Sequence, residues 1–232
     1  MSALDGIVFD KDGTLFDFRA TWSAWAQALL RELSQGDQAR ASRMGAAIGF
    51  DTANASFAPD SIVIAGTVEE VGAALGPQVP GMSRDALIDF INAEAMRAPQ
   101  VEAAPLVPLL TGLRDRGLRL GVATNDSEVP ARVHLDAAGV TPLFDFIAGY
   151  DSGHGAKPGP GPLLAFAAAC GLLPGRVAMV GDSAHDLTAG RAAGMICVAV
   201  LTGIARRAEL EPLADVVLGD ISELAGWIDS LS

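Results

Sequence analysis

The sequence predicts an α/β protein, a Rossmann-like parallel sheet with helices on both faces, carrying an inserted all-helical cap domain. Three observations point there. Short apolar runs recur with helical stretches between them, the rhythm of βαβ units. Half of the 232 residues are apolar, enough for one large core or a core with a modest insert. Finally, about ninety residues separate the first apolar run from the second, far more than a crossover connection needs.

The first strand is read at Ile7-Val8-Phe9. In the stretch that follows, Trp22, Trp25, Ala26, Leu29 and Leu33 recur at spacings of three and four, one face of a helix. Thr67-Val68-Glu69-Glu70 forms a capping-box pattern ahead of Val71, Ala74 and Leu75. Ser83 is placed to cap a helix carrying Leu87, Ile88, Ile91 and Ala95. The helical cap is therefore assigned to 17–100, and the α/β core to 1–16 and 101–232. Pro99, Pro105 and Pro108 mark the return to the core. Further strands are expected at 118–123, 144–148, 177–180, 196–200 and 216–218. Helices are expected near 105–116, 128–138, 160–170, 185–193 and 221–230.

The formal net charge is −12, with only two lysines, Lys11 and Lys157, among 16 basic residues. Nucleic-acid binders need a basic face, so that class is set aside. Cys170 and Cys197 make neither a disulfide framework nor a metal knot. The N-terminus lacks a signal-peptide pattern, and no apolar run approaches the ~18 residues of a membrane span. A cytoplasmic protein without a membrane partner is expected, monomer or homodimer.

In an open parallel sheet, ligands bind beyond the carboxyl ends of the strands. Beyond the first run stands Asp10-Lys11-Asp12-Gly13-Thr14-Leu15, beyond the second Thr124-Asn125-Asp126-Ser127. Gly153-His154-Gly155-Ala156-Lys157-Pro158 lies past the third, and Gly181-Asp182-Ser183-Ala184-His185-Asp186 closes the fourth. The carboxylates of Asp10, Asp12, Asp182 and Asp186 are thus aimed at one edge with Thr124 and Lys157. Such crowding is tolerated when a divalent cation with hard oxygen ligands, usually Mg²⁺, neutralises it. A carboxylate beside bound Mg²⁺ can attack phosphorus, and a second acid can protonate the leaving alkoxide and later activate water. Asp10 and Asp12 can divide those tasks. The turn at Gly13-Thr14 is expected to face its N–H groups to a phosphate oxygen, Thr124 to offer a hydroxyl and an amide, and Lys157 a compact charge.

These four motifs, in this order, resemble those of the haloacid dehalogenase superfamily. The long helical insert and the G-D-S-x-x-D fourth motif are similar to its phosphoglycolate phosphatase-like branch. The resemblance implies Asp10 as nucleophile and Asp12 as general acid/base. It implies Gly13, Thr124, Asn125 and Lys157 around the phosphate of a small phosphorylated metabolite. It further implies Mg²⁺ held by the Asp10 side chain, the Asp12 main-chain carbonyl and Asp182, with Asp186 supporting, and a substrate lodged between cap and core. Two departures are visible. The third motif continues Lys157-Pro158-Gly159-Pro160-Gly161-Pro162, with glycines where many relatives carry larger residues. Asp126 stands where relatives often carry a basic residue, an arrangement less welcoming to a substrate carboxylate.

Blander readings stand beside these. Thr124 and Asn125 could start a helix as caps, and Ser183 with Asp186 fits a helix-start cap. Lys11, flanked by the two acids, reads as structural or solvent-facing. His134, His154 and His185 share no metal-ligand spacing. One contact from Arg19, Arg40 or Arg43 to an anionic substrate is expected, and Trp22 and Trp25 are assigned to the cap core. The alternatives to a phosphatase are a phosphosugar mutase using the same aspartate and a non-catalytic phosphate-binding regulator. A dehalogenase is disfavoured because Asp12-Gly13-Thr14 is the phosphate-handling form of the first motif.

Overall fold

The computed structural model describes residues 4–231. Strand β1 (Gly6–Phe9) is fully buried and leads into the cap. The cap holds α1 (Phe18–Ser34), α2 (Gln38–Ala47), a hairpin of β2 (Phe50–Asp51) and β3 (Ser56–Phe57), α3 (Val68–Leu75) and α4 (Arg84–Ala95). The core resumes with α5 (Leu106–Asp115), β4 (Arg119–Ala123), α6 (Glu128–Ala137), β5 (Phe146–Ala148), α7 (Gly161–Cys170) and β6 (Val177–Gly181). It ends with α8 (Ala184–Ala193), β7 (Ile196–Val200), the short α9 (Arg207–Leu210), β8 (Val216–Leu218) and α10 (Leu224–Ser230).

The six core strands are all parallel, in the order β5-β4-β1-β6-β7-β8. Numbered within the core alone, that is 3-2-1-4-5-6, the doubly wound order whose switch point opens beside the first strand. Alternation along β1 shows why both faces need cover. Ile7 and Phe9 join Leu120, Val122, Ala178 and Val180 under α5 and α10. Val8 turns the other way, onto Met179 and the α7 residues Leu163 and Phe166. The strand and helix expectations are met within a few residues.

The cap has its own core. The stripe Trp22, Trp25, Ala26, Leu29 and Leu33 is buried against Val71, Leu75, Leu87 and Ile91. Its helix starts are chemically specified. Asp17, Asp37, Thr67 and Ser83 each accept a backbone N–H at the head of α1, α2, α3 and α4, and Thr67 with Glu70 completes the capping box. The cap is not all-helical, however. Phe50 and Phe57 pack with ring centroids 4.8 Å apart across the β2–β3 pair, and Asp51 accepts from the N–H groups of Ala53 and Asn54 in the turn. That aromatic pair and side-chain turn hold a hairpin where only helix was expected.

Cap and core are joined by two connectors lying side by side. Asp17 N–H donates to the Val101 carbonyl at 2.8 Å, and Ala103 N–H to the Leu15 carbonyl at 2.9 Å. Beyond the third motif, α7 begins at Gly161 with no side-chain cap, so its start rests on the proline-rich turn instead.

Candidate active site

The carboxyl ends of β1, β4 and β6 converge under the cap. Asp10 follows β1, and its N–H donates to the Val180 carbonyl of β6, locking it to the sheet edge. Asp182 follows β6, and Asp186 lies in the first turn of α8. One carboxylate oxygen from each of Asp10, Asp182 and Asp186 lies within 4.8 Å of the others, and all three residues are buried. Lys157 reaches in from the loop after β5. Its Nζ stands 2.6 Å from Asp10 Oδ1 and 2.6 Å from Asp186 Oδ1. Among the described residues no cationic side chain pairs with Asp182.

The electrostatics follow from this imbalance. Burial pushes the Asp10 carboxyl up to about 7 despite the Lys157 charge beside it, with the Asp186 and Asp12 charges adding to the rise. Asp182 is held well above the usual carboxylate range by burial first and by the Asp10 and Asp186 charges next. One lysine does not neutralise three buried acids. A set of three hard oxygen donors with surplus negative charge fits a divalent cation of the Mg²⁺ kind.

Glycine supplies the room. Gly13 sits at φ +82°, and a Cβ there would lie 2.4 Å from Asp182 Oδ2. A Cβ on Gly203 would lie 1.6 Å from the same oxygen. Thr202 Oγ1 donates to the Gly13 carbonyl at 2.6 Å and pins these two loops together.

Several expected phosphate contacts are spent elsewhere. The Gly13 N–H donates to the Phe16 carbonyl at 2.7 Å, so its part is to admit Asp182 and not to face an anion. The Thr124 amide donates to the Ala148 carbonyl, while its hydroxyl accepts from Asp126 N–H and lines the cleft. Asn125 is fully engaged. Its Nδ2 donates to the carbonyls of Ala65 and Lys157, both at 2.8 Å, and its Oδ1 accepts from Lys157 N–H at 2.9 Å. Its side chain clamps the Lys157 loop and ties core to cap. Asp186 does two things at once, since Oδ2 accepts from Ser183 N–H and Oγ in a capping box while Oδ1 faces Lys157.

Behind Asp12 lies a second buried charge cluster. Lys11 is fully buried, so the solvent-facing reading is corrected and the structural one stands. Its Nζ is 2.7 Å from Asp12 Oδ2, 3.4 Å from Asp126 Oδ2 and 3.0 Å from His134 Nδ1, and 5.5 Å from the centroid of the Trp22 ring. An ammonium only donates, so His134 Nδ1 accepts, and its Nε2–H donates to the Ala95 carbonyl of the cap at 2.8 Å. Burial and the Lys11 charge lower His134 to about 4, leaving it neutral at pH 7. Burial raises Asp126 to about 6 against the pull of Lys11. Sequence reasoning missed this cluster. The signal within reach was the scarcity of lysine, which made both lysines suspect.

The haloacid dehalogenase-like hydrolase family matches residues 4–194. The chain belongs to that family. "Phosphoglycolate phosphatase" of Rhodospirillum rubrum is 38% identical over 125 residues, 52% of this chain and 50% of that one, so this match spans half the relative's length. "Probable phosphatase IndB" of Dickeya dadantii is 30% identical over 226 residues, 97% of this chain and 94% of the relative. Among solved structures, CbbY from Rhodobacter sphaeroides in complex with phosphate shares the fold with a TM-score of 0.73. It is 20% identical and covers 95% of this chain and 96% of that chain. The expected family and its phosphoglycolate phosphatase-like branch are met by these matches.

Proposed function

We propose that this chain is a Mg²⁺-dependent phosphatase that hydrolyses a monoester of a small metabolite through a phosphorylated Asp10. The observation that carries the reading is the buried trio Asp10, Asp182 and Asp186, short of positive charge, with Lys157 bridging two of them. The cation would be held by Asp10, Asp182 and, in a supporting place, Asp186, with the Asp12 main-chain carbonyl. Bound there, Mg²⁺ supplies charge screening between the attacking carboxylate and the phosphate and stabilises the charge that builds on the phosphoryl oxygens.

The chain's own residues do the rest. An Asp10 oxygen bonds to phosphorus as the ester P–O bond breaks, and Asp12 gives its proton to the departing alkoxide. Water then attacks the same phosphorus, Asp12 takes its proton, and the acyl phosphate bond breaks to release inorganic phosphate and restore Asp10. Lys157 fixes Asp10 for in-line approach and attracts the phosphate, and the Thr124 hydroxyl is placed to donate to it. The Asp12 side chain is held by Lys11, which leaves it to proton transfer and not to the cation. Neither Gly13 nor the Asn125 side chain keeps a direct phosphate contact in this reading.

Asp10→Asn, assayed with Mg²⁺ for phosphate release from a panel of small esters, is expected to lose at least 10³-fold in kcat with an unchanged melting profile. Retained turnover would remove Asp10 as nucleophile. Appearance of an isomerised ester without free phosphate would make the chain a mutase.

A further inference from the structure

We infer that the alcohol this site releases is uncharged and largely apolar, and that an ester carrying a second anionic group is rejected. The inference rests on the phosphatase reading and adds the substrate class to it. The cleft between cap and core encloses about 650 Å³, counting the part open to solvent. Its cap wall is mostly apolar, with Phe18, Trp22, Trp25, Val71 and Ile91 beside the polar Thr67 and Asn92. The cap carries six arginines and no lysine, and not one of the six lines the cleft. Arg31, Arg84 and Arg97 pair with Glu32, Glu69 and Glu94 on the surface, Arg40 donates to the Gln78 carbonyl, and Arg19 and Arg43 are exposed. The expected contact from Arg19, Arg40 or Arg43 to an anionic substrate is therefore corrected.

Among the described residues the core side adds no lysine or arginine to the lining beyond Lys157, and His185 is its one histidine. The charged liners are Asp10, Asp12, Asp126 and Asp186 against Lys157 alone. Lys157 is committed to Asp10, Asp186 and the phosphate. Lys11 is wholly buried behind the Trp22 ring and committed to Asp12 and Asp126. A carboxylate on the leaving group would meet Asp126 and Asp12, a like-charge approach that weakens binding.

A second observation narrows the class. The indole N–H groups of Trp22 and Trp25 are buried without a hydrogen-bond partner among the described residues, although both rings line the cleft. The two residues are 8% and 3% exposed. Buried donors of this kind are costly unless something accepts from them. Neither N–H opens into the cleft, so what the two rings present there is carbon surface, which suits an apolar alcohol. The tryptophans thus serve both the cap core and the cleft.

The test uses the Mg²⁺-loaded wild-type chain and calorimetric titration with phosphonates, which cannot be hydrolysed. From methyl- through butyl- to hexylphosphonate, Kd is expected to fall about three- to fourfold per methylene until the cleft is filled. Phosphonoacetate is expected to bind at least tenfold more weakly than ethylphosphonate. Affinity independent of chain length, phosphonoacetate binding as well as ethylphosphonate, or no phosphonate binding at all would each overturn the inference. Phosphate release from the matching alkyl phosphates reads the phosphatase assignment separately. Graded binding without turnover sinks that assignment alone, and turnover that favours phosphoglycolate sinks this one alone.

Discussion

Replacing Lys11 by methionine keeps most of the stem and removes one buried charge. The ammonium it deletes is 2.7 Å from Asp12 and 3.4 Å from Asp126, whose side chains are 12% and 8% exposed. Both carboxylates lose their cation and neither gains water. Breaking a buried pair by removing one partner costs about 3–5 kcal/mol, because the surviving charge stays desolvated. For a chain of this size each kcal/mol moves Tm by about 2–4 °C, so Lys11→Met should melt about 6–20 °C below wild type at pH 8. The cost must shrink at lower pH. Asp126 already titrates near 6 with Lys11 present, and without it protonation comes more easily, so a neutral Asp126 relieves the strain at pH 5. Adding Asp126→Asn should likewise recover part of the loss, a coupling that a double-mutant cycle reads directly. Thermal and urea unfolding of the four proteins at fixed Mg²⁺ makes the measurement. A loss below about 1 kcal/mol at pH 8, the size of an exposed ion pair, or a loss equal at pH 5 and pH 8 would refute the reasoning.

Asn125→Ala removes three hydrogen bonds that join the Lys157 loop, the second motif and the Ala65 carbonyl of the cap. It should cost about 1–3 kcal/mol in denaturant unfolding and raise KM, since Lys157 loses its clamp. Gly13→Ala places a methyl 2.4 Å from Asp182 Oδ2 on a backbone at φ +82°, so calorimetric Mg²⁺ affinity should fall at least tenfold while the fold persists. Metal-free protein should lose stability as pH rises from about 4 to about 7. Asp10 and Asp126 keep protons in the fold up to about 7 and about 6 that the unfolded chain has already released near 3.8. Because a cation must displace the proton held on Asp10, Mg²⁺ should raise Tm more at pH 8 than at pH 6, and an equal or reversed effect would argue against a cation among Asp10, Asp182 and Asp186.

What the sequence made legible was whatever a parallel sheet forces. Once Ile7-Val8-Phe9 and Val177-Ala178-Met179-Val180 are parallel neighbours, Asp10 and Asp182 must leave the same edge, and the count of residues after each strand places them. The same logic brought in Thr124 and Lys157. Capping chemistry is equally local, so Thr67, Ser83 and Ser183 could be read as helix starts from residues three apart. The hairpin at Phe50 and Phe57 escaped because its strands are two residues each, too short for any period to register. Hydrogen-bond partners escaped for a different reason. A motif says where a group stands, not what else competes for it. Gly13 N–H goes to Phe16, Thr124 N–H to Ala148, and the Asn125 amide to Ala65 and Lys157, each settled by a carbonyl that the motif itself does not contain. Lys11 shows the limit most clearly. Its partners Asp126 and His134 lie more than a hundred positions away, on the next strand's loop and the helix after it, while Trp22 arrives from the cap. Only the assembled sheet shows the lysine of the first motif answering Asp126 of the second. That pairing hides the cation from the cleft and leaves a carboxylate facing a substrate in its place. The exclusion of a charged leaving group inferred above thus rests in part on one lysine just past the end of the neighbouring strand.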